Sequence, residues 1–289
     1  MHGLYNRLVE CSFLYRGRGR GRLLKMLRRF EPADLQPGLV TRDGKKWFLS
    51  DMRNNAEEAI YYGLPYDPET AALIAASVKS GDYVVDVGAN IGIFTSQLAH
   101  RVGPNGRVFA FEASPVHFQT VKRNMELQGM SQAKLHNFAL SNKESVAMHF
   151  TTRSSGSLVS DYSQFGMELR ETSQVQTKRL DDVLSDEEAR RVTFMKIDVD
   201  GNEIDVLRGS ENVLRLSHAR LLVEVSERAQ ELAGTTALAL LETISGFGYW
   251  FQIAHEAPIA DVRTTLDRVN SQPVFCDVLC IHSEELNKS

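Results

Sequence analysis

Residues 83–94 read Tyr-Val-Val-Asp-Val-Gly-Ala-Asn-Ile-Gly-Ile-Phe, and this stretch decides the fold. Tyr83-Val84-Val85 is an apolar run of the kind that is buried on both faces in a parallel sheet. The chain then turns through Gly88-Ala89-Asn90-Ile91-Gly92, and the apolar spacing from Ile91 to Val102 suits a helix. A strand, a glycine-bearing turn and a helix N-terminus are the parts of a nucleotide-type site. Asp86 stands two residues before the first glycine. A carboxylate there repels a pyrophosphate and suits an ammonium group.

Outward from this stretch the pattern alternates. Glu69–Val78 is expected to be a helix opened by Pro68. Arg107–Phe111 reads as a strand, Pro115–Leu127 as a helix, and Lys134–Leu140 as a third strand, with Ser145–Phe150 extending a hairpin. Thr193–Val199 is a strand followed by helix Glu203–Leu214, and Arg220–Val225 a strand followed by helix Ala237–Phe247. Tyr249–Ala254 and Val274–Ile281 close the sheet. Such alternation predicts a three-layer α/β domain with a mainly parallel sheet. Residues 1–63 read as a basic N-terminal extension and small cap, with a strand pair around Asp43-Gly44, and 64–289 as the main domain. The Ser/Thr-rich segment Thr151–Thr172 interrupts the rhythm, and a substrate lid is one reading of it.

In open α/β sheets, ligands bind beyond the carboxyl ends of the strands. Glu112 ends the second strand, 20 residues after Gly92, where a carboxylate accepts ribose hydroxyls and disfavours a 2′-phosphate. Ala113 and Ser114 follow it. Asn137-Phe138-Ala139-Leu140-Ser141 ends the third strand, where an adenine ring can lie on apolar surface. Asp198 ends the fourth, and Glu224 the fifth. Lys196 is a cation inside an apolar strand and needs a partner, Asp198 or Glu224. S-adenosylmethionine, with its amino-acid end, sulfonium and adenosine and no phosphate, fits this set of acids.

The 289 residues are 43% hydrophobic and 24% charged, enough for a large core. The net charge of −4 is uneven. Residues 1–46 hold 11 basic and 4 acidic residues, and the arm 16–30, with Arg-Gly repeats, is a candidate for contact with an anionic surface. Cys276 and Cys280, four apart in one strand, would lie on the order of 13 Å apart, too far for a disulfide. Sparse cysteines, no signal-peptide core and no membrane-length apolar run predict a cytoplasmic protein. No close histidine or cysteine spacing suggests a metal site, and none is expected.

Several blocks occur together: Asp86-Val87-Gly88-Ala89-Asn90-Ile91-Gly92, Glu112 with Pro115, Leu180-Asp181-Asp182, Lys196-Ile197-Asp198-Val199-Asp200-Gly201-Asn202-Glu203, Val206-Leu207-Arg208-Gly209 and Leu222-Val223-Glu224. In order and spacing, from about Leu64 to Glu227, they resemble the FkbM family of S-adenosylmethionine-dependent methyltransferases. The resemblance implies a Rossmann-like fold with a seven-stranded sheet whose last strand is antiparallel. It also implies methylation of hydroxyl oxygens on sugars, polysaccharides or natural products. By it, Asp86, Gly88, Ala89, Asn90 and Gly92 cradle the methionine end, Glu112 with Ala113 and Ser114 holds the ribose side, Ala139 lies by the adenine, and Asp198 faces the methyl group. Asn202 departs from the family's usual alanine. Val225-Ser226-Glu227 lacks the histidine that many members carry after the fifth-strand acid.

Asp198 and Glu224 are the candidate bases, with Lys196 to orient them. An NAD-dependent oxidoreductase fits the Asp-preceded turn poorly, and no Tyr-x-x-x-Lys pair is present. A nucleic-acid methyltransferase is disfavoured because Asp198-Val199-Asp200-Gly201 is no Asn/Asp-Pro-Pro-aromatic turn. A non-catalytic Rossmann-like binding module is the remaining alternative. The expected partner is a small-molecule or glycan acceptor, not nucleic acid.

Overall fold

The computed structural model describes residues 38–50, 52, 54–151, 156–158, 171–253, 256–272 and 275–286, with scattered positions before residue 38. The chain forms two compact units, Met1–Tyr66 and Asp67–Ser289. In the first, β1 (Gly38–Arg42) and β2 (Lys45–Leu49) make an antiparallel hairpin. Its turn residues Asp43 and Gly44 have φ of 49° and 76°, a handedness that matches the twist of paired strands. Helix α1 (Asn55–Tyr62) starts where the Asn54 side chain accepts from the amides of Ala56 and Glu57, and stops at Gly63. The arm 16–30 lies mostly outside the described residues.

The second unit opens with α2 (Pro68–Ser77), capped by Asp67. Then follow β3 (Tyr83–Val87), α3 (Ile93–Val102), β4 (Arg107–Phe111), α4 (Pro115–Gln128) and β5 (Ala133–His136). A second set comes next: β6 (Ala139–Leu140), β7 (Ser145–Thr151), β8 (Gly156–Ser157) and β9 (Glu171–Lys178). The chain continues through α5 (Asp186–Arg191), β10 (Val192–Ile197), α6 (Glu203–Arg208), α7 (Glu211–Ser217) and β11 (Arg220–Val225). It ends with α8 (Glu227–Leu232), α9 (Ala237–Gly246), β12 (Tyr249–Ile253), α10 (Val262–Asn270), β13 (Cys276–His282) and α11 (Ser283–Leu286).

Among the described residues, seven strands form one sheet in the order β12-β13-β11-β10-β3-β4-β5. Only β13 runs against the rest, wedged between β11 and β12. The Rossmann-like α/β fold with its antiparallel final strand is thus present. Val85, Phe109, Met195, Ile197, Leu221 and Val223 are fully buried in the central strands, which explains their unbroken apolar runs. Strand order reverses between β3 and β10, so the chain leaves a crevice at their carboxyl ends.

Two expectations need correction. The single strand Lys134–Leu140 is two strands in different sheets. The Asn137 side chain donates to the carbonyls of Glu112 (2.9 Å) and Ala113 (3.1 Å), which draws the chain off β5. Helix Glu203–Leu214 is two helices, broken at Gly209-Ser210, where the Gly209 backbone packs on Ser141; a methyl there would sit 1.9 Å from the Ser141 oxygen. The segment Thr151–Thr172 is bounded by paired strands, since β9 returns antiparallel along β7 from Thr151↔Glu171 to Ser145↔Thr177. The lid expected there lies largely outside the described residues, at 152–155 and 159–170.

Cys276 and Cys280 are buried free thiols, each pushed up by burial, Cys276 to about 11. No helix among the described residues is long and apolar enough to cross a membrane.

Candidate active site

The β3 tip and its turn are built mainly from backbone. Gly88, Asn90 and Gly92 have φ of 84°, 50° and 93°. The amides of Gly88 and Ala89 both donate to the Phe111 carbonyl at 3.0 Å, which ties the turn to the end of β4. Gly88 also presses against the end of β10, and a Cβ would lie 1.9 Å from the Asp198 carbonyl oxygen. Only glycine allows that approach. Gly92 caps α3 without any side-chain bond. A helix N-terminus without a side-chain cap suits a carboxylate.

Asp86 lies beneath this turn and is fully buried. Its Oδ2 accepts from Thr95 Oγ1 at 2.6 Å, while its buried Oδ1 has no hydrogen-bond partner. Burial raises its pKa, against the pull of Lys196 and Thr95. Glu112, at the β4 tip, accepts from the amide of Asn90 (2.7 Å) and that of Ser114 (2.8 Å), one on each oxygen. Each oxygen keeps a further lone pair. Burial pushes this carboxyl up to about 7, although both amides oppose the shift.

Between these tips opens a pocket. Gly88, Glu112, Ala113 and Asn202 give its polar side; Phe138, Ala139, Leu140 and Leu158 give much of its apolar side. Phe111 and His136 stack at 4.8 Å behind it. Ala139 and Leu140, expected beside the adenine, belong to β6, held by β9, so the inserted sheet builds this wall.

The other half of the crevice is a row of ionisable side chains. Register places Lys196 beside Asp86 on one flank and Leu222 on the other, and one step further brings Asp198 level with Glu224. Residues in register share a face of the sheet. Lys196 is almost fully buried, and its Nζ meets Asp198 Oδ2 at 2.7 Å and lies 5.2 Å from the Phe94 ring centre. Burial opposes its charge, yet Asp198 and Asp86 hold the ammonium above its ordinary range. The orienting partner expected for Lys196 is therefore Asp198. Glu224 faces Asp277 directly across β11 and β13.

Sequence reasoning gave no site role to Thr95, Leu158, Asn202, Glu203 or Asp277. Glu203, buried at the start of α6, takes the amides of Val199 (3.1 Å) and Gly201 (3.0 Å) and so sets the loop after Asp198. An acid at a helix start after Asp-Gly was its signal. Asp277 had the same signal as Lys196, a charge in an apolar strand. Leu158 had none. At the opposite end of the sheet, His218, His282 and Glu284 meet, but the two rings stack 3.9 Å apart within 2° of parallel. Their in-plane lone pairs then do not converge on one point.

The family model for the methyltransferase FkbM domain matches residues 86–251. "Methyltransferase 1" of Beauveria bassiana (strain ARSEF 2860) is 32% identical over 200 residues, covering 63% of this chain and 77% of that protein. "Methyltransferase sdnD" of Sordaria araneosa is 27% identical over 165 residues, 46% of this chain and 62% of that one. Among solved structures, the methyltransferase FkbM of Methylobacillus flagellatus KT aligns at a TM-score of 0.44 and 14% identity, covering 96% of this chain and 77% of the other.

Proposed function

Because this chain belongs to the FkbM methyltransferase family, we propose that it moves a methyl group from S-adenosylmethionine to a hydroxyl oxygen of a sugar, polysaccharide or natural product. Family membership sets aside the dinucleotide-dependent alternative. The observation that carries the reading is the buried, unpartnered Oδ1 of Asp86 beneath the glycine turn that opens α3, beside a pocket edged by Glu112. That set suits a zwitterionic amino-acid end and a ribose.

S-adenosylmethionine supplies a methyl group already made electrophilic by its sulfonium. The chain's part is to align and to manage charge. The α3 amides would hold the carboxylate end and Asp86 the ammonium. Glu112 would take ribose hydroxyls on its remaining lone pairs, and Ala139 with Leu140 would pack on the adenine. Asp198, fixed by Lys196, would stand toward the methyl group. A hydroxyl is a weak nucleophile, so an acid of the row, Asp198 or Glu224, would accept its proton.

The test is twofold. Calorimetry should detect S-adenosylmethionine binding. Incubation with labelled methyl donor and a panel of neutral glycans and hydroxylated natural products should give a methyl ether, identified by NMR. Transfer to nitrogen or carbon only would refute the hydroxyl assignment while leaving methyl transfer intact.

A further inference from the structure

We propose that Glu224 and Asp277 hold one proton between them in the ligand-free protein, and that this proton leaves when the positively charged methyl donor binds. The proposal rests on the methyl-transfer reading above, and it gives a role to Asp277, which touches neither the turn nor the pocket.

The geometry is a cross-strand pair. Glu224 and Asp277 are direct partners in the antiparallel register of β11 and β13. Directly opposed side chains share a face, with Cβ atoms roughly 5 Å apart, and like charges so placed repel. Both carboxyl groups are partly buried, so water screens them weakly. Asp198 and Asp200, after β10, and Glu203, on α6, add negative charge around Glu224. Asp67 and Glu69, at the start of α2, and Asp198 do so around Asp277. Lys196 is the cation that acts on this group, and its ammonium is engaged by Asp198. Two carboxyl groups in this setting cannot both ionise freely. Burial and the neighbouring acids push Asp277 up to about 8 and Glu224 well above the ordinary carboxylate range, so the pair keeps at least one proton near neutral pH.

A sulfonium brought to the Asp198 side of the row supplies the missing positive charge. The pair then gives up a proton. During transfer the acceptor oxygen bonds to the methyl carbon, the carbon–sulfur bond breaks, and its electrons stay on sulfur. The positive charge is gone at that moment, and the pair becomes basic enough to take the proton that the acceptor oxygen releases. Asp277 is thus a positioning residue for a proton, acting through Glu224.

The experiment compares two ligands that differ by one charge. S-adenosylmethionine and S-adenosylhomocysteine share the amino-acid end, ribose and adenine, so proton changes at Asp86 and Glu112 cancel between them. Each is titrated into the full-length protein by calorimetry near neutral pH, in buffers of different ionisation enthalpy. The wild type should release up to about one more proton with the sulfonium compound than with the thioether. Asp277→Asn and Glu224→Gln should each abolish the difference, and Asp277→Glu should restore it. If Asp277 were only structural, its removal would lower both affinities and leave the difference unchanged. Equal release with both ligands, or an undiminished difference in folded Asp277→Asn and Glu224→Gln, would overturn the proposal while leaving methyl transfer standing. Failure of the wild type to bind either ligand would instead overturn the methyl-transfer reading, and this proposal with it.

Discussion

The two halves of the crevice handle charge in opposite ways. At the tips of β3 and β4, the Glu112 carboxylate is met by backbone amides, and the turn is fixed by glycines that no other residue can replace. At the tips of β10, β11 and β13, Asp198, Glu224 and Asp277 are set against one buried lysine, and one carboxyl group faces another. The first half is organised before any ligand arrives, because backbone amides do not change charge. The second half is left electrically unbalanced. On the proposed reading, recognition and chemistry are divided along the sheet: the backbone turn with Glu112 would grip the donor, and the acids of the other half would respond to the charge it brings.

The largest expected effect comes from breaking the rigid half. Gly88→Ala puts a methyl 1.9 Å from the Asp198 carbonyl oxygen, at φ +84°. Calorimetry should record at least about a hundredfold loss of S-adenosylmethionine affinity, and urea melts a loss above about 3 kcal/mol. Gly129→Ala sharpens the point, since its φ of +68° is as positive but its surroundings are open. It should cost only about 1–2 kcal/mol and leave binding unchanged.

Next comes the unbalanced half. Lys196→Met removes the ammonium from between Asp86 and Asp198. Stability at neutral pH should fall by about 3 kcal/mol, because the buried Asp86 carboxyl loses its counter-charge. The loss should shrink in acid, where Asp86 is protonated. An equal loss at both pH values would mean that Lys196 acts by packing alone.

Glu112 gives a smaller and pH-dependent effect. Its carboxyl is raised on folding from 4.5 to about 7, so the folded chain holds this proton more tightly than the unfolded chain. The stability so gained is present below about pH 4.5 and is lost as pH climbs to about 7. Glu112→Gln should flatten that part of the stability profile, by at most about 3 kcal/mol, and weaken donor binding roughly tenfold. A slope that survives the substitution would show that burial of Glu112 does not set it.

Asp86→Asn should be the mildest change to the fold. The amide oxygen can still accept from Thr95, so stability should stay within about 0.5 kcal/mol. Donor affinity should drop roughly tenfold, because the charge beneath the turn is gone. Unchanged affinity would separate Asp86 from the ammonium end.

The strand–turn–helix from Tyr83 to Val102 was legible because every signal in it is local: an apolar run, two glycines and a 3.6-residue apolar period. The acids at the strand tips were legible for the same reason, since each directly follows an apolar run. Strand β9 was not, because Thr172 to Lys178 contains one apolar residue, Val175, and its alternation is buried threonine and valine against exposed glutamine. The break at Gly209 was hidden too, as its cause is the Ser141 carbonyl, 68 positions away in sequence.

The sequence by itself determined the strand-and-helix alternation, the family and the acids that end β3, β4, β10 and β11. Those depend on neighbours within a few residues, whose patterns are written along the chain. Tertiary structure alone decided that Asp277 opposes Glu224, that Asp86 lies under the turn with one oxygen unmet, and that the inserted sheet walls the pocket. These are matters of register between distant strands. A shift of one residue would turn every such side chain to the other face.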